Sequence, residues 1–212
     1  GRDLDRLPEQ AGQFFNWRFL TGSGWTRSHP YSISAAPDGR SLRVTVKDLG
    51  DGSHALAAVE TGTRVLIEGP YGRLHPGVRT QPKVTLLASG IGISPMRALL
   101  EGLPQQPGAV TLIYRARDDA DLVLRGEIER IAQRRGARVF YVLGRRLQGR
   151  DSWLPEAAAG LSDAEALRQL VPDIASHDVY LCGAPAWMDA AAAAARECGV
   201  PVSRIHAERF SW

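Results

Sequence analysis

Apolar and polar positions change rhythm at about residue 80. Before it, apolar runs are short and bounded by turns. Residues 14–20 (rich in aromatics), 29–34, the alternating 42–47 and 63–68 each read as a strand, and 54–59 as a short helix. Turn chemistry separates them, at Pro37-Asp38-Gly39 and at Gly69-Pro70-Tyr71-Gly72, with a glycine-containing loop over 21–28. This pattern predicts a small β-barrel. Beyond residue 80, the runs 84–88, 109–114, 137–143 and 178–182 read as strands, separated by helical stretches at 94–103, 122–135, 163–170 and 185–198. Such alternation predicts a parallel sheet with helices on both faces. Ser162 and Glu165 have capping-box spacing, which sets one helix start, and 144–160 reads as a surface loop. The boundary falls near 75–82, giving a β-barrel domain over 1–78 and an α/β domain over 79–212.

Within the second half, KVTLLASGIGISPMRALL (83–100) stands out. An apolar strand runs into Gly90-Ile91-Gly92, and Ser94-Pro95 opens a run of helix formers. Glycines at a strand-to-helix turn let backbone approach a ligand closely, and a helix start offers unpaired N–H donors, a combination suited to phosphate. The motif is G-x-G-x-x-P, without the third glycine of the dinucleotide fingerprint, so alone it fits a tight packing turn equally well.

Composition removes several alternatives. The net charge of +3 is small, and the basic residues form no cluster interleaved with aromatics, which argues against nucleic acid. Two cysteines, Cys182 and Cys198, make neither a disulfide framework nor a metal site. No apolar run approaches the ~18 residues that span a bilayer.

Four further pieces could carry chemistry. His29-Pro30-Tyr31-Ser32 offers a flat ring and a hydroxyl on one strand, although a buried barrel Tyr explains it as simply. Gly50-Asp51-Gly52-Ser53 precedes a helix and reads as an anion site or as an ordinary N-cap. Cys182-Gly183 ends the last strand, at the carboxyl edge where open α/β sheets place ligands, although a lone Cys is more often a small buried hydrophobe. The end of the sequence, Ile205-His206-Ala207-Glu208-Arg209-Phe210-Ser211-Trp212, is apolar and aromatic and reads as a docked tail, with Phe210 or Trp212 placed to cover a flat ligand.

Taken in order, these motifs resemble the ferredoxin–NADP⁺ reductase superfamily, in which a flavin-binding barrel precedes a nicotinamide-dinucleotide domain. Tyr31 and Ser32 match its R-x-Y-S flavin motif with His29 in the Arg place, Gly50, Gly52 and Ser53 its phosphate segment, and 69–72 its barrel-closing G-P-x-G. Gly90, Gly92 and Pro95 match the pyrophosphate turn, Cys182-Gly183 the pair beside the nicotinamide, and Glu208 with Phe210 the terminal motif. The resemblance implies FAD and NADPH or NADH as cofactors. It implies Ser32, Cys182, Glu208 and Phe210 as the catalytic set, with His29, Pro30, Val46, Lys47, Met188 and Trp212 completing the binding residues. Arg115 and Arg117 follow the second strand, where a 2′-phosphate would sit, and mildly favour NADPH over NADH.

The His-Pro-aromatic-Ser variant resembles the branch of membrane ferric reductases and NADPH oxidases. That implies a haem-bearing transmembrane domain or a ferric acceptor as partner, and a place on the cytoplasmic face of a membrane. Only about ten residues precede the segment that opens the family barrel's third strand, so its first strands are expected to be missing. The competing reading is a reductase serving an iron–sulfur protein or oxygenase, expected to keep Arg in the His29 place or to carry a four-cysteine cluster. A binding module without turnover is a third.

Overall fold

The computed structural model describes residues 4–7, 9–21, 28–48 and 50–209, with only the backbone of Asp51 and Gly52. Phe210 and Trp212, expected over the ligand, lie outside the described residues.

The first half builds an antiparallel sheet from β1 (Phe14–Phe19), β2 (His29–Ser32) and β3 (Val65–Tyr71), in the order β2-β1-β3 among the described residues. β1 is central and its side chains alternate: Phe15 and Trp17 join Tyr31 and Ile33 in a small core, and the Trp17 indole N–H donates to the Tyr31 carbonyl at 3.0 Å. α1 (Asp51–Leu56) precedes β3 and starts three residues earlier than the predicted 54–59. The strand expected over 42–47 does not form. Pairing there is confined to an Ile33–Val44 bridge, because the Arg43 guanidinium donates to both oxygens of Ser34 and Thr45 bonds the same hydroxyl. β3 also continues through Gly69-Pro70, where a turn was expected to stop it.

The second half is a parallel sheet in the order β6-β5-β4-β7-β8, five strands among the described residues. β4 (Lys83–Ser89), β5 (Val110–Ala116) and β7 (His177–Cys182) form its buried centre, with β6 (Arg138–Leu143) and β8 (Ile205–Glu208) at the edges. Alternation within each central strand feeds two cores. Leu86, Leu112 and Tyr180 pack under α2 (Ile93–Gly102) and α3 (Arg125–Arg135). Leu87, Ile113 and Leu181 pack on the other face under α4 (Asp163–Leu170) and α5 (Pro185–Glu197). The predicted capping box holds: Glu165 N–H donates to Ser162 Oγ at 3.2 Å and Ser162 N–H to Glu165 Oε2 at 2.9 Å. α3 begins at Arg125, after a short 3₁₀ turn over Asp119–Asp121, three residues later than the pattern predicts.

Two expectations need correction. β8 was read as a docked tail and is instead a strand of the sheet. The segment 144–160 was read as a surface loop, yet Trp153 is fully buried beneath α5, where its carbonyl accepts from the Trp187 indole at 3.0 Å and its own indole donates to the Asp163 carbonyl at 3.0 Å.

The halves share core. Ala11 and Leu74, from the first half, are buried with the α2 face of the sheet. Beside them Arg97, 6% exposed, pairs with Glu101 at 2.5 Å and Glu127 at 3.0 Å. Glu127 also holds Arg43 at 2.9 Å, and Glu101 accepts from Ala36 N–H at 2.8 Å. A buried cation is costly unless paired, and here both partners also grip the other half. Trp153→Ala should destabilise the fold by roughly 3–5 kcal/mol, since its cavity lies deep in the core; urea unfolding of the two proteins measures this.

Candidate functional site

Where the halves meet, a cavity of about 370 Å³ opens beyond the carboxyl ends of β4, β5 and β7. The first half contributes Thr45, Val46 and Lys47; the second contributes Ser89-Gly90-Ile91, Arg115 to Arg117, Arg146, Leu154 and Trp187. Its location follows from parallel topology, because every strand ends at one edge and the turns that follow converge there.

The turn after β4 is shaped by two glycines with different demands. Gly90 has φ +55 and its missing Cβ would point into open space, so the backbone there is left uncovered. Gly92 touches the end of β7, where an added Cβ would lie 2.1 Å from the Cys182 carbonyl oxygen. Gly183 is confined similarly, by Ser89 and the Trp187 ring. α2 follows directly, with Pro95 near its start and the Ser94 hydroxyl donating to the Thr45 carbonyl at 3.4 Å. The combination of uncovered turn, helix start and nearby Lys47 and Arg117 suits a phosphate-bearing ligand.

Of the residues expected to bind cofactor, Val46, Lys47, Gly90, Arg115 and Arg117 line the cavity. Arg115 nevertheless acts as a strut: 7% exposed, it donates to the carbonyls of Ala116, Val142 and Arg145, and burial lowers its pKa. Its fork therefore holds the following loop and is not presented to a ligand. Arg117 is exposed, 3.4 Å from Asp118 and 3.8 Å from Asp121. Met188, expected to bind cofactor, is 2% exposed in the α5 core, and its neighbour Trp187 reaches the cavity instead.

A second set of predicted residues follows the seam. Ser32 pairs with Phe14 and Phe14 with Tyr71; next along the chain, Gly72 packs against the Glu208 carboxylate, and Glu208 pairs with Cys182. Two oxygens in this row, Ser32 Oγ and Glu208 Oε2, are buried without a hydrogen-bond partner. Burial raises the Glu208 carboxyl to about 7, against a smaller opposing effect from the Arg73 N–H. Burial also pushes the Cys182 thiol up, and Glu208 adds to it. Tyr31 is 8% exposed, packed in the small core with its ring parallel to His29 (9° between planes, centroids 5.8 Å apart), so it is largely covered where an open ring face was expected. Pro30 lies between them, opposite Asn16. Gly50, Gly52 and Ser53 sit at the start of the six-residue α1, where Ser53 Oγ bonds Gly50 and Asp48, and none of them lines the cavity.

Sequence reasoning missed Trp187, Arg146 and the Ser152–Leu154 wall. The available signal was position: 144–155 follows the carboxyl end of β6, the same edge as the other turns.

Comparison with known proteins agrees with this geometry. Residues 86–193 match the family described as "Oxidoreductase NAD-binding domain". The ferredoxin reductase component of 3-ketosteroid-9-alpha-monooxygenase from Mycolicibacterium smegmatis is 33% identical over 97% of this chain. The chain spans only 57% of that relative's length. Ferredoxin–NADP reductase B of Sorangium cellulosum is 30% identical over 95% of the chain and 85% of the relative. Among solved structures, the flavohem-like FAD/NAD-binding domain of nitric oxide dioxygenase from Vibrio cholerae superposes with a TM-score of 0.72 at 23% identity, covering 96% of this chain and 86% of that one.

The two curated relatives are ferredoxin reductases by name, and they correct the expectation of a place on the cytoplasmic face of a membrane. Among the described residues, no helix is long and apolar enough to cross a membrane.

Glu208 gives a signed pH dependence. Its carboxyl titrates at an ordinary 4.5 in the unfolded chain and at about 7 in the fold, so between these values the folded state binds more protons and stability falls as pH rises. Glu208→Gln should flatten that stretch of the pH profile, read from urea midpoints across it.

Proposed function

The chain belongs to the oxidoreductase NAD-binding family of the ferredoxin–NADP reductase type, and from that membership we propose that it is the reductase of an electron-transfer chain, taking hydride from NAD(P)H to FAD and delivering electrons to a ferredoxin or oxygenase-type acceptor. The relatives' names favour this acceptor class over a ferric centre. The replacement of Arg by His29 had argued for the ferric branch. In the fold, His29 lies flat beside Tyr31, a packing role that imidazole fills as well in either branch.

One observation carries the reading: the cavity beyond the carboxyl ends of β4, β5 and β7 is walled by both halves and faces the uncovered Gly90 turn. At the seam, Ser32 Oγ and Glu208 Oε2 are buried without a partner among the described residues and are free to bond a ligand. When bound, nicotinamide and flavin supply the hydride donor and acceptor, and the protein's work is binding and orientation. The Gly90–Gly92 turn and the start of α2 offer N–H donors to the dinucleotide pyrophosphate. Lys47 and Arg117 add positive charge, and Trp187 with Leu154 gives an apolar wall. Tyr31 and His29 form the aromatic flank of the flavin side. The Ser32 hydroxyl offers one hydrogen bond toward the reacting rings. Glu208, raised by burial to about 7, keeps its proton in a substantial share of molecules at neutral pH, where an ordinary carboxylate has lost it. Cys182, paired with Glu208 across the β7–β8 ladder and kept as a neutral thiol by burial, adds no charge there.

The FAD-loaded protein should lose its yellow absorbance anaerobically on adding NAD(P)H; a protein that takes up no flavin, or binds it without bleaching, would refute the reading. Ser32→Ala should slow that reduction roughly tenfold, the equivalent of one hydrogen bond of about 1.4 kcal/mol, with FAD affinity unchanged. Arg117→Ala should lower kcat/KM for NADPH by roughly tenfold and leave NADH unaffected, reporting loss of a charge-assisted phosphate contact.

A further inference from the structure

β8 is a four-residue edge strand that pairs, among the described residues, with β7. Short edge strands near the end of a described chain fray unless something ties them down. Its side chains alternate. Ile205 packs into the α5 core, while His206 and Glu208 share the opposite face.

His206 is nearly buried, its ring 4.7 Å from that of Tyr180, and its Nε2–H donates to Asp178 Oδ1 at 2.9 Å. Asp178 is fully buried, and its other oxygen accepts the backbone N–H of Thr80 at 2.7 Å and of Gln81. Tyr180 Oη donates to the His75 carbonyl at 3.2 Å. Asp178, Tyr180 and His206 thus tie β8, β7 and the connector that leaves Gly72 into one unit. Two residues along the same face, Glu208 meets that connector at Gly72.

We propose that His206 is a positioning residue: through its bond to Asp178 it fixes the register of β8 against the connector and so holds the Glu208 carboxyl at the seam. The proposal rests on the role given to Glu208 above and adds the element that keeps it in place. The Asp178–His206 pair is far from decorative, because Glu208 has few other restraints: it ends a strand with a neighbour on one side only.

His206→Leu and His206→Gln separate the possibilities, since Gln keeps a donor for Asp178 and Leu does not. In FAD-loaded protein, His206→Leu should slow anaerobic reduction by NAD(P)H about tenfold with flavin content unchanged, and His206→Gln should recover most of it. Without added cofactor, amide exchange in His206→Leu should quicken over Ile205–Glu208 and leave β4 and β5 protected, and the Glu208 carboxyl should titrate below its native value of about 7. His206→Leu combined with Glu208→Gln should be no slower than Glu208→Gln alone, as expected when one residue acts through the other. Wild-type reduction by His206→Leu, multiplying effects in the double variant, or exchange that quickens throughout the sheet would overturn the proposal. If Glu208→Gln itself reduces at the wild-type rate, the role of Glu208 fails, and the tie is judged by exchange alone: selective loss of protection in β8 supports it and its absence overturns it. Should His206→Leu not fold, Asp178→Asn carries the same readouts.

Discussion

The contact on which the site depends is between backbones: Gly92 lies so close to the Cys182 carbonyl that no side chain fits between them. This contact draws the turn after β4 onto the end of β7, and the neighbouring Gly90 is left facing free space. A larger residue at Gly92 would push the turn away and fill the region where the cavity now lies. Glycine serves different ends at these two positions: conformational freedom at one, absence of bulk at the other.

Around that contact, charge is handled in two ways. At the junction of the halves, Arg97 is buried but surrounded by Glu101 and Glu127, and the same carboxylates reach Ala36 and Arg43 across the boundary. The pairing compensates desolvation and adds directional grip. At the seam the opposite holds: Glu208 is buried without a cation beside it, so its proton affinity rises. One arrangement holds the two halves in register. The other leaves a buried carboxyl with raised proton affinity at the seam.

Legibility in the sequence followed the strength of the local signal. The central strands were plain because both faces are buried, so that 84–88 is apolar but for Thr85 and 178–182 is apolar beyond Asp178, and Ser162 with Glu165 marked α4 by spacing alone. The alternation of 42–47 misled, because that pattern records burial of one side and not hydrogen bonding; Arg43 and Thr45 are committed to Ser34. Ile-His-Ala-Glu does alternate, but four residues are too short a run to stand out, and β8 is a strand through its pairing with β7. Arg115 matched a phosphate-binding position in sequence, and only the structure shows its fork occupied by three carbonyls. Ser32 and Glu208 were recoverable from motif order, whereas their shared lack of partners needed coordinates.

The segment between β6 and α4 combines two mechanical characters. It is clasped at one end by the Arg146–Pro155 bridge and the Glu156 N–H to the Arg145 carbonyl at 2.9 Å, and plugged into the core by Trp153. Between these anchors Gln148, Gly149 and Arg150 are exposed and make no strand. The wall of the cavity is thus anchored at both ends, with an exposed middle from which Arg150 reaches the Leu161 carbonyl at 2.6 Å. Its tip can vary in length and charge over generations while the sheet beneath keeps its shape, a natural place for ligand preference to drift without loss of the fold.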